Sequence, residues 1–148
     1  MIARIRKSMK SDKGFTLIEL LVVMIIIGIL AAIAIPIFLN QRKKAQDTAA
    51  TSDVSTLGKE VATYYVDATT VLAAATGVSA TSGGDLFVNS VSVGNASAAT
   101  TAAALTYTGT PTTAADASTS WCVTLTYSGG TATNVYYSAA NGLSKTSC

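Results

Sequence analysis

The chain has no histidine among its 148 residues, which removes the commonest general base and transition-metal ligand. A serine nucleophile would lack its usual base. Only two cysteines occur, Cys122 and Cys148, and without histidine or a second cysteine pair they make a poor metal site. Charge is scarce: Asp, Glu, Lys and Arg make up 12% of the chain, against about 25% in an ordinary domain. After Lys59 the only basic residue is Lys145, so the C-terminal body offers no basic surface and nucleic acid is not an expected partner. No phosphate-cradling glycine loop is present either. The expectation is a chain that is not an enzyme and carries no cofactor and no metal.

What charge there is lies unevenly. The first 14 residues hold five basic side chains against Asp12, a net +4, while the remainder holds five basic against seven acidic, a net −2. The overall +2 therefore belongs to the N-terminal tail.

Residues 20–39 read LLVVMIIIGILAAIAIPIFL, twenty residues without a charge. A helix rises ~1.5 Å per residue, so this run would extend about 30 Å, the thickness of a bilayer core. A buried core helix is the competing reading, but such helices keep some polar residues. Five basic residues precede the run, and Arg42, Lys43 and Lys44 follow it. The larger cluster places the N-terminus in the cytoplasm and residues 40–148 outside. Glu19 stands at the head of the run, where a carboxylate at membrane depth is costly unless it is paired. A cleaved secretory signal would share the basic and apolar regions, and Ala32-Ile33-Ala34 resembles its cleavage site. However, the run exceeds the roughly 7–15 apolar residues of such signals, and a second helical pattern continues from its end.

That second pattern covers residues 40–68, where Val54, Leu57, Val61, Tyr64, Tyr65, Ala68 and then Leu72 recur at three- and four-residue spacing. Lys59, Glu60 and Thr63 fall on the other face. One helix over residues 15–68 would be about 80 Å long. No globular domain of this size needs such a helix; a protruding stalk with its distal half packed on a head does.

Residues 69–85 read as an Ala/Thr/Ser/Gly connector ending in a Gly83-Gly84-Asp85 turn. Strands are expected at 86–93 and, more weakly, at 104–110. The clearest hairpin pairs 121–127 with 131–138, with Trp121, Val123, Leu125 and Tyr127 on one face. Residues 95–103 and 111–120 read as loops. The fold class expected is α+β, a helix stripe against one antiparallel sheet face. Asn95-Ala96-Ser97 is a formal glycosylation sequon. In an exported domain, two cysteines pair by default, so a Cys122–Cys148 disulfide is expected.

The stretch KGFTLIELLVVMIIIGILAAIAIPIF, residues 13–38, resembles the N-terminal signature of type IV prepilins and pseudopilins. The resemblance lies in a basic leader ending in Gly14, then Phe15, then Thr-Leu-Ile-Glu, then the apolar run; it covers about the first 40 residues. It implies removal of a leader, residues 1–14, by a membrane-embedded prepilin peptidase, with N-methylation of Phe15. It implies a membrane and filament-core helix at 15–39, its amphipathic continuation at 40–68, and a β-sheet head at 69–148. Glu19 would meet the Phe15 amine of a neighbouring subunit, and the segment between Gly28 and Pro36 would unwind on assembly. The cysteine pair is similar in placement to the family's C-terminal disulfide loop. Some secretion-system relatives bind calcium through clustered C-terminal acids, but this chain has no acidic side chain after Asp116.

The function implied is the major pilin of a type IV pilus, a homopolymer serving adhesion and motility. It would wait in the cytoplasmic membrane, be extruded by a cytoplasmic assembly motor and end outside the cell. A pseudopilin of type II secretion or DNA uptake, a minor pilin, and an uncleaved signal-anchored surface protein are the alternatives.

Overall fold

The computed structural model describes residues 14–148, so all but the last residue of the expected leader lies outside the described residues. Helix α1 runs Leu17–Asp67, 51 residues. Chain contacts divide the protein into two units, one up to Leu39 and one from Asn40 to Cys148.

Among the described residues of the first unit, α1 is the one regular element. From Leu17 to Leu39 its side chains are exposed, except that Ala31 is partly covered. By length and composition this stretch is able to cross a membrane. Beyond the opening turn and apart from the bond that Pro36 cannot donate, its backbone groups pair within the helix, which suits a lipid-facing segment.

In the second unit α1 continues as an amphipathic helix. Ala50, Asp53, Val54, Leu57, Gly58 and Val61 form its buried face. The sequence here is not a strong helix former. Thr48, Thr51, Ser55, Thr56 and Thr63 each turn their hydroxyl back onto the carbonyl four residues earlier, at 2.7–3.1 Å. Such back-bonding slightly weakens a helix, so burial of the stripe is what keeps this half wound.

Two antiparallel sheets follow. The first has the order β1-β2-β3, with β1 Val78–Ala80, β2 Asp85–Val88 and β3 Val91–Asn95. The second has the order β4-β5-β6-β7, with β4 Thr100–Tyr107, β5 Trp121–Tyr127, β6 Asn134–Ser138 and β7 Gly142–Ser144. A short helix α2, Ala114–Ser120, lies between β4 and β5. The fold is α+β, as the residue pattern predicts. Val54, Leu57 and Val61 of α1 meet Val78, Leu86, Leu105, Val123, Leu125 and Val135 in one core.

Three local differences from the sequence reading have physical reasons. Residues 86–93 are not one strand but a hairpin, closing at Val88↔Val91. Asn89 and Ser90 there have φ of 51° and 66°, the left-handed pair that a two-residue turn of matching twist demands. β4 starts at Thr100, inside an expected loop, because its alanines pair with β5 from Ala102↔Thr126 onward. The 111–120 loop contains α2, started by Thr113, whose hydroxyl accepts from the Asp116 amide at 3.2 Å and donates to its carboxylate at 2.7 Å. That reciprocal pair is a helix-initiating cap. The 121–127/131–138 hairpin is present as β5 and β6.

Candidate functional site

The N-terminal site is built from four residues. Gly14, Phe15 and Thr16 lie outside the helix, and Phe15 is 80% exposed. The first intrahelical bond runs from the Leu20 amide to the Thr16 carbonyl at 3.3 Å, which makes Thr16 the N-cap of α1. The Thr16 hydroxyl accepts from the Glu19 amide at 3.2 Å. The Glu19 carboxylate reaches back to the Thr16 amide and hydroxyl, both at 3.5 Å. Glu19 is thus in the first turn, where the helix dipole favours a negative charge.

Gly28 and Pro36 lie further along the same bare surface. Beyond the helix's own backbone and the adjoining residues, nothing among the described residues comes within 4 Å of the position a Cβ on Gly28 would take. α1 passes through Pro36 without ending, although proline removes one ladder hydrogen bond. In the single chain the stretch between them is helical.

Beyond the apolar run, Arg42, Lys43 and Lys44 are all exposed on α1. The first two carboxylates that follow on the helix, Asp47 and Asp53, bond to residues of the head. Asp47 accepts from the Tyr127 hydroxyl and the Thr131 amide, each at 2.8 Å, and from the Thr131 hydroxyl. Burial alone would raise the Asp47 carboxyl, but the Thr131 and Tyr127 hydrogen bonds outweigh it and hold the group below its usual range. The same contact, together with burial, pushes the Tyr127 hydroxyl up to about 12. Asp53 is buried, and its Oδ2 accepts from the Ser97 amide at 2.8 Å and the Thr100 hydroxyl at 2.6 Å. These two aspartates fasten the β5–β6 turn and the β3–β4 connection to α1.

The chain leaving α1 is held by tyrosines. Tyr107 donates to the Leu72 carbonyl at 2.8 Å, and the Leu72 amide donates to Tyr65 at 3.1 Å. The two phenols are 2.6 Å apart. Each hydroxyl has one hydrogen, so Tyr65 must donate to Tyr107, closing a three-bond ring. Burial, then the Tyr65 contact, raises the Tyr107 hydroxyl well above the phenol range.

Cys122 on β5 and Cys148 form a disulfide with a Cα–Cα distance of 6.1 Å. Beside it Trp121 stacks on Tyr137, ring centroids 6.1 Å apart and nearly coplanar in orientation at 4°. A shallow cleft of about 370 Å³ borders the bridge, lined by Thr108, Thr119, Ser120, Ser138 and Asn141 among others, with no ionisable side chain. Asn95 of the sequon is exposed at the end of β3. Among the described residues, no three carboxylate, histidine or cysteine groups converge as a metal site would require.

The structure therefore brings Phe15, Thr16 and Glu19 together, and separately Cys122 and Cys148. Sequence reasoning missed Thr16, Asp47, Asp53 and Tyr107. Asp53 carried a signal: it sits on the stripe of Ala50, Leu57 and Val61, and a carboxylate on a buried face needs donors. Thr16 carried one too, as the first residue of a Thr-x-x-Glu pattern before an apolar run.

Residues 9–35 match the prokaryotic N-terminal methylation motif. The chain is similar to a fimbrial protein of Pseudomonas aeruginosa, 46% identical over 68 residues, which is 46% of this chain and 44% of that protein. It is similar to a type IV wide pilus major component of Thermus thermophilus, 49% identical over 59 residues, 40% of this chain and 45% of that one. A type II secretion system core protein G of Vibrio cholerae is 38% identical over 61 residues, 41% of this chain and 42% of that one. The chain spans less than half the length of these relatives. No solved structure matches the chain.

Proposed function

We propose that this chain, whose N-terminal segment is that of the type IV pilin family, is the structural subunit of a surface filament, the major pilin of a type IV pilus. The observation that carries the reading is the state of α1 between Leu17 and Leu39: apolar, uncharged after Glu19, and with its large side chains exposed among the described residues. A surface of that kind needs either lipid or copies of itself. A subunit that waits in the membrane and then joins a helical bundle of its own kind uses both in turn.

In this reading a prepilin peptidase cuts between Gly14 and Phe15, and the new Phe15 amine carries the cation that Glu19 of another subunit needs. Such a pair, removed from water, gives recruitment and register more than stability, because desolvation offsets most of the attraction. Gly28 and Pro36 mark where the helix is weakest, so unwinding between them would let neighbouring helices pack. A cytoplasmic motor drives extrusion, and the head, with few charges and a disulfide, faces the exterior. Adhesion and motility follow as the filament's uses. A pseudopilin of type II secretion is the second reading, favoured by the similarity to core protein G.

Electron microscopy of filaments sheared from cells tests the proposal. Long filaments containing this chain are expected, and Glu19→Ala should leave the chain membrane-inserted with filament yield reduced at least about tenfold, as loss of a buried ion-pair partner would give. Wild-type yield in that variant would sink the Glu19 pairing. Absence of long filaments while secretion depends on the chain would favour the pseudopilin.

A further inference from the structure

The N-terminal turn poses a problem that the filament reading leaves unsolved. Before a subunit joins a neighbour, Glu19 stands at the membrane edge with no foreign amine beside it. The first amides of α1 are equally short of partners, since the opening turn of any helix leaves its donors unpaired. In hydrocarbon neither group has water to turn to.

The Thr16–Glu19 geometry answers both needs at once. One hydroxyl and one carboxylate satisfy each other and two backbone donors: the Glu19 amide to the Thr16 hydroxyl at 3.2 Å, and the Thr16 amide and hydroxyl to the Glu19 carboxylate at 3.5 Å. We infer that Thr16 is a positioning residue that holds the Glu19 carboxylate against its own helix in the single subunit, and that this self-cap is the arrangement a neighbour's amine displaces on assembly. The exchange of partners rests on the filament reading above; the cap itself does not. The chemistry of the swap is consistent. Glu19 gives up neutral donors and gains a cationic one, and charge-assisted hydrogen bonds are the stronger kind. The Thr16 hydroxyl keeps its acceptor role towards the Glu19 amide, so the helix start survives the change. Thr16 also lies next to Phe15, so the carboxylate is already aimed at the region where processing would create a cation.

The test separates the two parts. Amide hydrogen exchange is followed by NMR on the full mature subunit in lipid bicelles, and filament yield is followed in cells. Thr16→Val keeps the shape and removes the hydroxyl; it should speed exchange at the Glu19 amide roughly tenfold, as loss of an N-cap does. Thr16→Ser should restore protection, and Glu19→Ala should speed exchange at the Thr16 amide. In cells Thr16→Val should still assemble where Glu19→Ala does not. Unchanged exchange at Glu19 in Thr16→Val overturns the cap. Loss of filaments in Thr16→Val as complete as in Glu19→Ala overturns it as well, because the hydroxyl would then be as essential to the assembled contact as the carboxylate, rather than a holder that the neighbour's amine displaces. Normal filament yield in Glu19→Ala counts against the filament pairing alone, since the cap is read in the single subunit.

Discussion

Asp53 shows most plainly how single residues decide this fold. It is a carboxylate on the buried stripe of α1, and it is tolerated because the Ser97 amide and the Thr100 hydroxyl both point at it. Asp53→Ala would leave those two donors without a partner, at a cost of about 2–4 kcal/mol. Denaturant unfolding of the detergent-solubilised chain should show that loss, with a smaller one for Asp53→Asn. Asp47 makes a pH-dependent fastening. Its folded-state carboxyl lies below the ordinary value of 3.8, so its contribution is present above that pH and is lost as pH falls through the folded value. Tyr127 titrates in the opposite direction, from 10 up to about 12, so its contribution is intact below pH 10 and disappears as pH rises towards 12. Head stability should therefore be flat around neutrality and fall at both ends. Asp47→Asn should remove a share of the acid limb; an unaltered acid limb would show that the carboxylate does not hold the Thr131 turn.

At the scale of elements, α1 and the second sheet are locked by a close approach. A Cβ at Gly58 would come within 3.0 Å of three ring carbons of Tyr137, and that ring in turn stacks on Trp121. Gly58→Ala should destabilise the head by about 1–3 kcal/mol despite alanine's better helix propensity. A gain in thermal stability would show that the ring moves aside freely. The disulfide ties β5 to the last residue across 26 positions. Removing it with paired Cys122→Ser and Cys148→Ser changes should cost about 3 kcal/mol, measured by the unfolding midpoint.

The elements that could be read from sequence are those with strong periodicity. The apolar run shows in length and composition, and the Val54, Leu57 and Val61 stripe and the alternation of Trp121, Val123, Leu125 and Tyr127 follow burial, which periodicity displays directly. Those that could not be read depend on pairing. Thr100-Thr101-Ala102-Ala103-Ala104 has the composition of a loop and becomes strand because β5 supplies its partners. The Asn89-Ser90 turn hides inside a run of alternating residues, since only its backbone angles reveal it. β7 is three residues long and exists only as an edge on β6.

At the scale of the whole molecule, the chain's two units solve different problems. Among the described residues up to Leu39, the first unit presents an apolar helix whose large side chains are exposed. Residues from Asn40 onward bury most of their large apolar side chains in one core, Val66, Val91 and Leu143 staying exposed, and leave no buried side-chain nitrogen or oxygen without a hydrogen bond among the described residues. Gly14, Phe15 and Glu19 were legible because they lie within one local motif, residues 9–35, that is carried in sequence rather than in tertiary contacts. The hydroxyl of Thr16 was visible in the same stretch, yet its reciprocal contact with Glu19 emerges only once α1 is seen to begin at Leu17.

The central claim is that the apolar helix stays on the mature chain and builds a filament from it. Intact-mass measurement of the chain recovered from sheared surface filaments tests this most directly. The account predicts a chain that begins at Phe15, carries one methyl group on its amine and retains the disulfide. A chain that keeps residues 1–14, or one that begins after Ala34, would contradict it.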